Sequence, residues 1–333
     1  MMTAQHDAIP ETALEWHRSG GVAIATVIET WGSAPRPAGS QLAVAADGRM
    51  AGSVSGGCVE GAVVAEVDDA ITSGRSRILE FGVSDDEAFS VGLACGGRIR
   101  VLLEPIGGEN GIPEDILVAL TDLRAQRIPA LYRVNICTWE RQIDVSGGVG
   151  LDLVAQQRMV SDRSGLDGDW FVAVHNPPLR MIVVGAVHIA QSLVKMAWLT
   201  GYEPTLVDPR SAFASSARFP GETMITEWPD EAIPALKPDT RTAVVTLTHD
   251  PKIDDAAIQA TLPTPAFYIG CLGSVRTHDK RCRRLIDAGV DDDQLARLNA
   301  PVGLDISART PAEIAVAIMA EVTETLRKFR DQE

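Results

Sequence analysis

The C-terminal half of this chain alternates apolar strands with helical segments, a pattern few folds can accommodate. Met181-Ile-Val-Val-Gly185 reads as a strand and is followed by a helix predicted over His188 to Leu199, after which Thr205-Leu-Val-Asp208 reads as a second strand. Ala243-Val-Val-Thr-Leu-Thr248 and Phe267-Tyr-Ile-Gly270 are further buried strands, with helices predicted over Ile253 to Gln259, Thr277 to Ala288 and Pro311 to Phe329. Repeated β-α units of this kind demand a parallel, doubly wound sheet. The ligand crevice of such a sheet lies beyond the carboxyl ends of its strands.

The N-terminal half is different. From Val22 to Ile106 it is strand-rich, interrupted by one helix expected from near Cys58 to Ile71, where Val59, Ala62, Val63, Glu66, Val67 and Ala70 recur at helical spacing before Gly74. A helix over Pro113 to Gln126 and a strand over Pro129 to Ile136 follow. The signals then weaken to a turn at Ser146-Gly147-Gly148 and a short strand at Trp170 to Val174. Asn176-Pro177-Pro178 marks a boundary, since neither proline can donate a ladder hydrogen bond. The expected class is therefore α/β in two domains: a strand-rich α+β domain over 1–176 and a doubly wound parallel-sheet domain over 177–333. A chain of 333 residues is long enough for two cores.

Charge excludes one class of function. Thirty Lys and Arg against 45 Asp and Glu give a formal charge of −15, which repels a phosphate backbone, so no nucleic-acid partner is expected. The five cysteines, at 58, 95, 137, 271 and 282, contain no C-x-x-C pair and suggest reduced thiols rather than a disulfide framework or a zinc ribbon. Met1 to Pro10 lacks an apolar signal core, and no run reaches the roughly 18 apolar residues of a membrane span. The expectation is a soluble, cytoplasmic protein.

Several residues could carry chemistry. In Ser55-Gly56-Gly57-Cys58-Val59-Glu60 a glycine pair delivers a thiol onto an expected helix N-terminus, whose amides and dipole favour thiolate. Cys58 then reads as a nucleophile or soft metal ligand, or else as a small buried hydrophobe behind a tight turn. Cys95 precedes its own pair, Gly96-Gly97, and either faces a common site with Cys58 from a neighbouring strand or is a core thiol. Arg36 is pinned between Pro35 and Pro37 and reads as an anion clamp or as a solvent-facing arginine.

In the second half, Gly185-Ala186-Val187-His188 opens a helix and Asp208 closes the next strand, the context of a dinucleotide fingerprint. Val187 occupies the place of the glycine that lets a pyrophosphate approach, which favours the Rossmann-like fold over NAD(P) binding. His249 ends one strand and Gly270-Cys271-Leu272-Gly273-Ser274 ends another, so both should face the crevice. Ser274 can cap a helix bearing Arg276, Thr277, Lys280, Arg281, Arg283 and Arg284. Arg276 and Thr277, on its first turn, are the better candidates for holding a phosphate.

Taken together, the motifs resemble the XdhC/CoxI family of molybdenum-enzyme accessory proteins. The resemblance rests on Glu29-Thr-Trp-Gly-Ser-Ala-Pro-Arg-Pro, Ser53-Val-Ser-Gly-Gly-Cys-Val-Glu and Gly92-Leu-Ala-Cys-Gly-Gly. It extends through Gly185-Ala-Val-His, Thr248-His-Asp-Pro-Lys, Tyr268-Ile-Gly-Cys-Leu-Gly-Ser-Val-Arg-Thr and Pro301-Val-Gly-Leu-Asp-Ile-Ser-Ala-Arg-Thr-Pro-Ala-Glu-Ile-Ala, covering about Val22 to Leu326. It implies a cofactor-handling domain joined to a Rossmann domain, acting as a homodimer. Such a protein would bind the molybdenum cofactor (molybdopterin), shield it while a cysteine desulfurase supports sulfuration, and insert it into a xanthine-dehydrogenase-type molybdenum hydroxylase. Cys58 and Cys95 match the family's two glycine-flanked cysteines, and soft thiolates suit molybdenum bearing sulfur. The family stretch normally reads Gly-Ala-Gly-His, so Val187 is a departure. The competing readings are an NAD(P)-dependent oxidoreductase built on His188 and His249, and a thiol enzyme passing sulfur through Cys58 or Cys95.

Overall fold

Strand β1 (Val22–Trp31) organises the N-terminal unit because both of its faces are buried. Ala23, Ala25 and Val27 face one core, while Val22, Ile24 and Ile28 face another. The change in alternation at Ile28 coincides with a bulge, where the β1 register shifts between Val27 and Glu29. The computed structural model describes residues 8–32, 36–57, 59–82, 97–146 and 151–332. Their contacts form two compact units, one ending at Pro177 and the other running from Pro178 to Gln332.

In the first unit β1 is the centre of an antiparallel sheet. Its other strands are β2 (Gln41–Ala45), β3 (Met50–Gly52), β4 (Arg77–Phe81) and β5 (Arg98–Pro105), in the order β3-β2-β1-β5-β4. The helix Glu60–Ser73 lies on one face, burying Val63, Val67 and Ala70 among Ala25, Val27, Val101 and Leu103. Each such buried valine contributes roughly 1.5–3 kcal/mol. On the other face, helices Ile9–His17 and Glu114–Ala125 join a second antiparallel sheet. That sheet comprises β6 (Ala130–Asn135), β7 (Arg141–Val145), β8 (Gly165–Asp167) and β9 (Trp170–His175), in the order β7-β6-β9-β8.

Between these two sheets lies a polar staple. The Arg141 guanidinium donates to Glu104 Oε1 at 2.7 and 3.0 Å, to Tyr132 Oη at 2.9 Å and to the Asn110 carbonyl at 2.6 Å. The Arg141 and Glu104 side chains are 4% and 2% exposed. Burial pushes the Glu104 carboxyl above its ordinary value despite the adjacent guanidinium.

The second unit is a six-stranded parallel sheet of β10 (Leu179–Val184), β11 (Tyr202–Val207), β12 (Thr223–Ile225), β13 (Thr242–Thr246), β14 (Tyr268–Cys271) and β15 (Leu298–Asn299). The order is β12-β11-β10-β13-β14-β15, that of a Rossmann sheet, with its switch point between β10 and β13. Helices His188–Leu199 and Pro311–Gln332 cover one face; Pro229–Leu236, Pro251–Thr261 and Val275–Asp287 cover the other. No helix among the described residues is long and apolar enough to cross a membrane.

Some elements go beyond the sequence expectations: helices Ile9–His17, Leu153–Ser161 and Pro229–Leu236 and strands β7, β8 and β12. Strand β11 also starts three residues earlier than expected, at Tyr202, running through Pro204, a residue that normally argues against a strand interior.

Candidate functional site

The sheet register of the first unit gathers three motifs at one end. Trp31, the last residue of β1, pairs with Arg98, the first of β5. Gln41, which opens β2, lies opposite Thr26; Gly52, which closes β3, lies opposite Leu42; Phe81, which closes β4, lies opposite Ile99. The loop carrying Arg36, the loop after β3 and the connection that ends at Gly97 therefore leave the sheet on the same side. Gly97 is buried at the start of β5, and the Arg36 guanidinium, partly exposed, makes no ion pair among the described residues. Cys58, Cys95 and Gly96 lie outside the described residues. Their flanking strands, β3 and β5, are not neighbours as expected but are separated by β2 and β1. Val59 nevertheless belongs to the same apolar cluster as Ile99, on the face covered by the helix.

The loop after β3 is built around a carboxylate that the sequence motifs do not single out. Glu60 accepts hydrogen bonds from the amides of Val54, Ser55, Gly56 and Gly57 at 3.1, 2.9, 3.1 and 2.9 Å. The Ser53 and Ser55 hydroxyls add two more at 2.6 and 2.5 Å. Burial works against the ionised form, but these donors outweigh it and pull the Glu60 carboxyl down to about 2. Gly56 and Gly57 have φ values of +78° and +116°, a region that side chains disfavour, so the turn requires both. This corrects the expectation that Cys58 begins the helix with open amides beside it. The helix begins at Glu60 with Val59 as its N-cap, and the amides just upstream are already occupied by Glu60. A pair of serines and a pair of glycines ahead of a first-turn acid was the available signal.

In the second unit the candidate residues collect at the carboxyl ends of adjacent strands. Gly185, at φ +106°, ends β10 so close to β13 that a β-carbon there would sit 2.6 Å from Thr248 Cγ2. His188 opens the next helix and His249 follows β13, and both are exposed. Gly273, at φ +145°, leads to Ser274, whose hydroxyl accepts from the Thr277 amide at 3.2 Å and lies 3.0 Å from Thr277 Oγ1. Arg276 is exposed on the same turn, where the amides ahead of the first intrahelical bond remain available. By donor chemistry this helix start fits an oxyanion, whereas the Glu60 loop does not.

Two basic residues of this helix do not serve the crevice. Arg281 is 2% exposed, donates to the Leu272 carbonyl at 2.8 Å and lies 3.7 Å from Asp254. Arg284 pairs with Asp255 at 2.9 Å. Cys271, expected to face the crevice, is fully buried, and that burial pushes its thiol up to about 11.

Asp208 is also committed. Its fully buried carboxylate accepts from the Ala186 amide at 2.8 Å and from the Arg210 amide, Nε and Nη2 at 3.0, 2.9 and 2.8 Å. Burial raises its carboxyl, yet the Arg210 bonds outweigh that and hold it below the usual range. Both oxygens are engaged within the chain. The acid that would receive a ribose in a dinucleotide site is thus already paired.

Comparison with known proteins places this geometry. Residues 16–82 match the XdhC and CoxI family, and residues 181–322 match the XdhC Rossmann domain. PaoD of Escherichia coli (strain K12), named a molybdenum cofactor insertion chaperone, is 30% identical over 325 residues, spanning 96% of this chain and 89% of that protein. The chain belongs to the XdhC and CoxI family. A second XdhC-type relative, from Bacillus subtilis (strain 168), is named a probable xanthine dehydrogenase subunit. It is 27% identical over 317 residues, spanning 92% of this chain and 93% of its own. A crystal structure described as a xanthine dehydrogenase from Bacillus halodurans shares the fold, with a TM-score of 0.75 at 23% identity over 96% of each chain.

Proposed function

We propose that this XdhC/CoxI-family protein carries the molybdenum cofactor as cargo and inserts it into a xanthine-dehydrogenase-type molybdenum hydroxylase. The observation that carries this reading is the near full-length likeness to a molybdenum cofactor insertion chaperone. The sheet end of the first unit supports it, because three glycine-rich segments emerge there, two of them bearing cysteines. In this reading Cys58 and Cys95 are soft ligands for the metal, with Arg36 from the same end as a cation for an anionic cargo. Gly273, Ser274, Arg276 and Thr277 offer the donors a phosphate needs, beside Gly185, His188 and His249. A cysteine desulfurase is the expected partner during sulfuration, and the working state is a homodimer in the cytoplasm. The committed carboxylate of Asp208 tells against an NAD(P)-dependent oxidoreductase.

The test is reconstitution. Purified protein loaded with molybdenum cofactor should restore activity to a separately prepared, cofactor-free hydroxylase, and Cys58→Ala should weaken cofactor binding. Failure to restore activity would remove the carrier role, and full binding by Cys58→Ala would remove the proposed ligand.

A further inference from the structure

The acid in a capping box takes up a single amide at the start of its own helix. Glu60 does something else. Sitting on the first turn, it reaches back along the chain and collects four consecutive amides and two hydroxyls, from Ser53 to Gly57. Two further bonds close the turn upon itself: Gly56 N–H to Ser53 Oγ at 2.8 Å, and Val59 N–H to Ser55 Oγ at 2.8 Å. Ser55 is buried, and Val54 and Val59 are fully buried in the core beneath, so the turn is anchored at both ends. Successive amides aimed at one point form a nest for an oxyanion, and here the oxyanion is internal.

We propose that Glu60 is the positioning residue of the Cys58 loop, its carboxylate holding residues 53–57 as one preset turn and leaving none of their amides for a cargo phosphate. The loop then meets the cofactor through the thiol of Cys58 alone, and the phosphate is received elsewhere. This rests on the reading of Cys58 as a cargo ligand.

The experiment uses the full-length protein, its Glu60→Gln and Glu60→Ala variants, and three readouts. Glu60→Gln keeps the bulk and loses the charge. Amide exchange at residues 54–57 should accelerate about tenfold or more in both variants, while the amides of β1 and β5 stay unchanged. Alkylation of Cys58 by iodoacetamide should quicken as the turn loosens. Sodium formate should restore slow exchange to Glu60→Ala by occupying the vacated nest, and inorganic phosphate should do the same there while leaving the wild-type exchange unaltered. Unchanged exchange in the variants, absence of formate rescue, or a phosphate effect on the wild-type loop would each overturn the proposal. Cofactor affinity in Cys58→Ala is measured separately. If it is undiminished, the reading of Cys58 falls while the exchange results still decide the role of Glu60.

Discussion

Arg141→Met should unfold the first unit far more easily, by an amount that grows with pH. The substitution removes six hydrogen bonds from one guanidinium, two of them to the Glu104 carboxylate. Glu104 is 1% exposed, so it would be left as a buried charge with only the Tyr132 hydroxyl at 2.9 Å. Breaking such a pair by removing one partner costs about 3–5 kcal/mol. Protonation limits the cost, because burial already raises the Glu104 carboxyl with Arg141 present. The folded variant then holds that proton more tightly than the unfolded chain does. Stability is therefore greatest where the carboxyl is protonated and falls as pH rises, by up to about 1.4 kcal/mol per unit. Amide exchange of β5 and β6 reports this unit by itself, from about pH 5 to about pH 8, and adding Glu104→Gln should recover about 2 kcal/mol or more. A loss under about 1 kcal/mol, no pH slope, or no recovery in the double variant would refute the reasoning.

The second unit supplies three further expectations. Gly185→Ala should cost about 1–3 kcal/mol in denaturant unfolding, since it forces a side chain at φ +106° against Thr248; an unaltered midpoint would mean the loop relaxes freely. Ser274→Ala should cost about 1 kcal/mol by removing the cap on Thr277, and Ser274→Gly only a few tenths, a difference that thermal unfolding resolves. Burial raises the Asp254 carboxyl to about 7, although the Thr248 hydroxyl and Arg281 oppose this. The folded state thus binds its proton through a range where the unfolded chain has released it. The contribution of this group to stability should decline as pH rises toward 7, and the decline should vanish in Asp254→Asn.

How much was legible in the sequence follows from where each residue's partners lie. Strands β10 and β13 are buried on both faces, so they read as unbroken apolar runs, and the doubly wound class followed. The helix Leu153–Ser161 turns Leu153 and Val154 outward, at 81% and 52% exposure, which blurred its periodicity. Strand β7 has no fully buried residue, so alternation could not reveal it. The buried position of Arg281 was readable in principle, because it shares a helix face with Leu285 four residues on. The role of Glu60 was not, since four of its six partners are backbone amides that every sequence possesses.

That internal carboxylate bears on how a carrier lets go. A binding loop that becomes ordered only around its guest charges the ordering entropy to each arrival and returns it at each departure. A loop already held in shape by its own side chain does neither. Transfer from donor to recipient is then governed by the difference in their affinities for the guest, and the vacated site stands ready for the next one without refolding.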